Sequence, residues 1–155
     1  MLRLTIFEYI VRAIPEAFIF IFAGYILSNN KINIARYIIS SLLYATCVYI
    51  IRMLPINYGV NTILAIIIQT IILNNINKFD LIQAVKSSIL TTICLFILEM
   101  LNVIVLNYAF GDKLSEVMLN PILKVVYSLP SLICFAVIII CYHYSKKGKI
   151  KDVQR

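Results

Sequence analysis

The chain has 155 residues, 62% of them hydrophobic, with a mean hydropathy of +0.95 and a formal net charge of +7. A soluble domain is nearer half apolar, so the composition excludes a soluble enzyme and points to a membrane. The charge is no nucleic-acid signature either: Lys146, Lys147, Lys149, Lys151 and Arg155 crowd the last ten positions, directly behind an apolar block.

The apolar residues form long blocks separated by short polar clusters. A block of roughly 20 residues matches a hydrocarbon layer about 30 Å thick at 1.5 Å rise per residue. The expected fold is therefore all-α, a polytopic bundle of about five transmembrane helices over residues 1–145, followed by a basic cytoplasmic tail at 146–155. The first span ends at Leu27 and begins at Leu4 or Ile10. Residues 1–14 could instead lie at the interface as an amphipathic helix, but the remaining span would be too short to cross, so a start before Pro15 is preferred. Glu8, Arg12 and Glu16 follow one another at i, i+4 spacing, a ladder able to neutralise itself on one helix. They also interrupt any cleavable signal-peptide pattern.

The second span is expected at Ile34–Leu54, the third at Val60–Ile76, the fourth at Leu81–Leu106 and the fifth at Ile122–Tyr144. The breaks "SNNKIN", "PINYG", "NNINKFD" and "NYAFGDKLSEVMLNP" supply Asn, Pro, Gly and charge. Pro15, Pro55, Gly59, Asn120, Pro121 and Pro130 are the structural turn positions, with Pro55 and Gly59 read as one tight turn. The longest connection, Gly111–Asn120, reads as a linker. Placing the basic tail in the cytoplasm puts the N-terminus outside and gives nine basic residues on the inner side against five on the outer. Interfacial tyrosines and tail contact with anionic membrane lipids fit that orientation.

Within the spans, small and polar residues recur at helical spacing: Ser41, Ala45, Tyr49 and Arg52; Asn61, Ala65 and Gln69; Ser88, Thr92, Leu95, Glu99 and Asn102; Lys124, Ser128 and Ser131. Such stripes pack helices through close approach and interhelical hydrogen bonds. The charges ask for more. A charge near mid-span costs on the order of 3 kcal/mol on insertion scales, so Glu99 must be protonated, paired or facing water. Arg52 and Lys124 can snorkel outward. The expected arrangement is an Arg52–Glu99 ion pair facing the bundle interior, with Lys124 competing for the acid and Glu16 nearby. Glu16, Arg52, Glu99, Asn102 and Lys124 are thus the candidate ligand-binding or signalling residues.

No catalytic motif, nucleotide cradle, cofactor site or metal-ligand cluster is expected. The single His, His143, lies two residues from Cys141 and therefore on a different helical face. The four cysteines, all inside apolar blocks, read as packing residues.

Four segments, "AIPEAFIFIFAGYIL", "VYIIRMLPINYGVNT", "LFILEML" and "LNPILKVVYSLPSLI", in this order and at these spacings, resemble the multi-helix N-terminal sensor region of accessory-gene-regulator-like, GHKL-type sensor histidine kinases of Gram-positive bacteria. The resemblance covers about residues 8–144 and draws attention to Pro15, Glu16, Arg52, Pro55, Gly59, Glu99, Asn120, Pro121 and Pro130. It implies an input module that receives an extracellular peptide or small-molecule signal. Phosphoacceptor and ATP-binding segments are missing from these 155 residues. The expectation is therefore a non-catalytic membrane sensor or regulatory module of a two-component system, acting on a separate histidine kinase or as a homo-oligomer. The alternative is a small membrane transport component or substrate-binding subunit.

Overall fold

A computed structural model describes residues 9–54, 57–110 and 121–153. They form helices, with no strand among the described residues. A π-helical turn, Tyr9–Ala13, leads into α1 (Ile14–Leu27). Then follow α2 (Ile34–Met53), α3 (Tyr58–Asn75), α4 (Leu81–Phe110) and α5 (Pro121–Val153). Tyr9–Leu27, Ile34–Met53, Leu81–Ala109 and Val126–Ser145 are long and apolar enough to cross a membrane, and Gly59–Asn75 is a shorter apolar helix. The chain is a polytopic helical bundle of the membrane-spanning type.

Local chemistry explains the boundaries. Pro15, the second residue of α1, has no N–H to give the carbonyl four residues back, and the widened π turn occupies that place in the ladder. The sequence is therefore helical from Tyr9 onward, which makes the first span long enough. α1 ends where Asn29 takes φ 58°, with Ser28 N–H donating to the Gly24 carbonyl at 3.0 Å and Asn30 N–H to that of Tyr25 at 3.1 Å. Asn33 caps α2 by accepting from Arg36 N–H at 3.3 Å. Lys78, at φ 61°, makes the matching turn between α3 and α4.

Three expected turns differ. Gly59 lies inside the first turn of α3, and Pro55 falls outside the described residues with Asn120. Pro121 is the first residue of α5, where its missing N–H costs nothing. Pro130 sits inside α5 without ending it; Asn102 of α4 donates to the Tyr127 carbonyl at 2.8 Å, beside the gap Pro130 leaves in the ladder. α5 also continues past Tyr144 to Val153, so Lys146, Lys147, Lys149 and Lys151 lie on helix, while Arg155 lies outside the described residues.

α1 is the central helix: it packs against α2, α4 and α5 and touches α3. The others form an arc around it in the order α2, α3, α4, α5. Phe20 of α1 stands between Tyr44 of α2 and Phe135 of α5, with ring centroids 5.8 and 5.9 Å away. α1 and α3 approach closely at Gly24, where an added Cβ would stand 3.1 Å from both Leu73 methyl carbons of α3. The exterior is apolar, with Ile63, Phe96, Ile97, Val105 and Ile133 all more than half exposed, a surface compatible with lipid contact. Cys134 and Cys141 lie on that exposed surface, whereas Cys47 and Cys94 are partly buried against neighbours.

The polar stripes divide the expected work between their members. The stripe hydroxyls of Ser41, Thr92 and Ser131 bond to carbonyls of their own helices and so serve close approach, whereas Gln69 and Asn102 of the same stripes bond across to neighbouring helices. The interhelical bonds come from larger side chains. Tyr37 Oη donates to the Phe18 carbonyl at 3.0 Å, and Gln69 Nε2 to the Phe20 carbonyl at 3.3 Å. At the end of the bundle carrying the α1–α2 and α3–α4 turns, Tyr25 Oη donates to Asn77 Oδ1 at 2.6 Å. Tyr25→Phe should cost about 1 kcal/mol, because Asn77 Nδ2 is already unpaired and the whole buried amide would then lack partners. Tyr25→Phe with Asn77→Leu should recover most of that loss in a detergent unfolding titration.

Candidate functional site: an ion network across three helices

At the opposite end of the bundle, charges from the continuous π turn and α1, from α2 and from α4 meet. Arg12 lies on the π turn, Glu16 in the first turn of α1, Arg52 in the last turn of α2 and Glu99 within α4. Counted along each helix from the turn end at 1.5 Å per residue, Glu16 stands about 16 Å up, Arg12 about 22 Å, and Arg52 and Glu99 about 27 Å. In a hydrocarbon layer about 30 Å thick, the network runs from near its middle, at Glu16, toward the face furthest from the α1–α2 turn.

The charges alternate in sign across the bundle. Arg52 donates from a terminal nitrogen to Glu16 Oε1 at 2.9 Å. Arg12 donates from a terminal nitrogen to Glu99 Oε1 at 2.7 Å. Arg12 Nε and Glu16 Oε2 face each other at 3.7 Å, close enough for ionic attraction but too far for a hydrogen bond. The result is a chain, Arg52–Glu16–Arg12–Glu99, running from α2 through the start of α1 to α4. It contains two cations and two anions, so it carries no net charge. Glu16 is its most enclosed member, with the side chain 10% exposed, and Glu99 the most open at 37%.

The expected Arg52–Glu99 pair is not made. Both residues stand at the same height, but α1 lies between α2 and α4, and its own Arg12 and Glu16 intercept them. Glu16 and Arg52 are therefore brought together, and Glu99 joins through Arg12. Arg12 is the member that the i, i+4 reading missed: its ladder contact with Glu16 is the longest in the network, and its short bond leaves the helix. The alternation of sign over residues that topology brings to one end was the signal available. Asn102 takes a separate role, clamping α4 to α5 through the Tyr127 carbonyl. The Lys124 side chain lies outside the described residues.

The rest of the network end supports Arg12. Tyr9, also on the π turn, packs its ring 4.7 Å from that of Tyr49 and hydrogen-bonds Thr46 Oγ1 at 3.3 Å, both on α2. The π turn is thus tied to α2 by an aromatic contact and to α4 by an ion pair. Among the described residues, no group of three or more His, Cys, Asp or Glu side chains could hold a metal. No protein family, no curated protein and no solved structure matches this chain.

Proposed function

We propose that the chain is a non-catalytic sensor or regulatory module of a membrane signalling system, of the kind that feeds a separate histidine kinase. The observation that carries this reading is the ion network. It joins α2 and α4 through the π turn and α1 at one end of the bundle, and of its two central members Glu16 sits on α1, the helix that contacts all the others, and Arg12 on the π turn that leads into it. A ligand that rearranges these pairs would shift α1 relative to its neighbours. At the far end, α1 meets α5 through Phe22 and His143, whose ring centroids are 6.3 Å apart, and α5 continues as helix to Val153. That continuity offers a path from the network to the basic segment, provided the ligand binds the two packings with different affinity.

In this reading the N-terminus is outside and the C-terminus is cytoplasmic. The pairing of Arg12 and Arg52 with internal carboxylates supports it, because those two cations are then no longer free loop charges opposing the inner excess. The signal would be an extracellular peptide or small molecule.

The test places an environment-sensitive fluorophore at Ser145→Cys in a background with Cys47, Cys94, Cys134 and Cys141 replaced by Ala, in lipid nanodiscs. Glu99→Gln should shift the emission of this distant label while the bundle stays folded. An unmoved label, together with solute accumulation in proteoliposomes, would reject the sensor reading in favour of a transport component.

A further inference from the structure

The network has one orphan atom. Glu16 Oε2 is buried and accepts no hydrogen bond, and Arg12 Nε faces it from 3.7 Å. No guanidinium nitrogen of the network is both buried and unpaired among the described residues. The deficit in the site is therefore a donor, not an acceptor. Meanwhile Arg12, which could fill it, is held at 2.7 Å by Glu99, the most exposed of the four side chains.

We infer that the site takes a cationic ligand, a primary ammonium or guanidinium group, which pairs with Glu99 and releases Arg12 to Glu16. The inference rests on reading the network as the input site. A cation reaching the open carboxylate of Glu99 replaces Arg12 there. Arg12 then needs to close less than about 1 Å to bring Nε into hydrogen-bond range of Glu16 Oε2. Both carboxylates end with a partner, and the buried orphan is satisfied. An anionic ligand does the reverse: it competes for Arg12, leaves Glu99 unpaired and draws Arg12 away from Glu16 Oε2. A neutral ligand offers no replacement charge for Glu99 and so no reason for Arg12 to leave. The π turn carrying Arg12 is a wider, less regular piece of helix, the place where such an exchange meets least resistance.

The exchange also explains how a ligand could favour one packing over another. With Arg12 on Glu99, the π turn is pinned to α4. With Arg12 on Glu16, it is pinned to its own helix and to α2 through Arg52, and its ionic link to α4 is gone, Glu99 being paired with the ligand.

The full chain in nanodiscs of zwitterionic lipid, titrated with n-butylammonium, n-butylguanidinium, butyrate and n-butanol, tests this. Ligand-observed NMR reads binding, and the side-chain Nε–H resonances of 15N-arginine read the exchange. Either cation should bind saturably and shift the Arg12 resonance, whereas butyrate and butanol should not. Glu99→Gln should weaken cation binding at least tenfold. Arg12→Gln should strengthen it several-fold, because the competing internal cation is gone, and this variant keeps the test decisive if Glu99→Gln does not fold. Glu16→Gln should still bind the cation but lose the Arg12 shift. Saturable butyrate binding at this site, absence of cation binding, or weaker binding by Arg12→Gln would each overturn the inference. The Ser145→Cys label separates this from the sensor reading: cation binding that leaves the label unmoved sinks the sensor reading alone, and a label that answers Glu99→Gln without cation binding sinks the ligand assignment alone.

Discussion

Glu16→Ala should destabilise the bundle by about 3 kcal/mol, the larger of two strong effects expected here. Glu16 is the only carboxylate in contact with both arginines of the network, through Arg52 at 2.9 Å and Arg12 at 3.7 Å. Its removal leaves Arg52 without its partner in a partly buried position, since the expected alternative, Glu99, is occupied by Arg12. Most of the loss is the cost of an uncompensated charge, not the worth of the pair itself. Arg52→Ala combined with Glu16→Ala should therefore be less destabilising than Glu16→Ala alone. Unfolding titrations from mild detergent into dodecyl sulfate would measure both. Glu99→Ala should cost less than Glu16→Ala, because its more open position lets water and headgroups reach the arginine left behind.

The second large effect is expected at Gly24. A Cβ there meets both methyl carbons of Leu73 at 3.1 Å, tighter than ordinary van der Waals contact. Gly24→Leu should cost about 1–3 kcal/mol through overpacking, since α1 packs against α2, α4 and α5 as well as α3 and has little room to shift. Gly24→Ala should come close to neutral: Leu73 ends in flexible methyls that can give a few tenths of an ångström, and alanine regains about 0.5–1 kcal/mol of helix propensity over glycine. Leu73→Ala should rescue Gly24→Leu. The same unfolding titration checks this series, and equal losses for Ala and Leu would mean that Gly24 matters for something other than space.

The helices were legible because a bilayer leaves few options. With no water to satisfy backbone groups, long apolar blocks bounded by Asn, Gly and Pro must be helices, and α2, α3 and the start of α4 begin and end within about two residues of their pattern. What periodicity could not settle was which helix stands in the middle. Ser41, Ala45 and Arg52 mark an inward face correctly, and Ser41 and Ala45 are fully buried. An inward face does not name the helix opposite it. Because α1 fills the centre, Arg52 meets Glu16 instead of Glu99. Pro130 misled for a related reason: proline signals a break in water, whereas Asn102 and the surrounding helices support the ladder around it. Pro15 misled more quietly, since it marks neither a turn nor a plain helix start but the end of a π turn that carries Arg12 toward α4.

The division of the charges by α1 into Arg52–Glu16 and Arg12–Glu99 can be measured by double-mutant cycles on three pairs, using Gln for each residue and unfolding free energy as the readout. Coupling of more than about 0.5 kcal/mol is expected for Arg52 with Glu16 and for Arg12 with Glu99, and less than that for Arg52 with Glu99. Strong coupling between Arg52 and Glu99, with none between Arg52 and Glu16, would mean that α1 does not separate them.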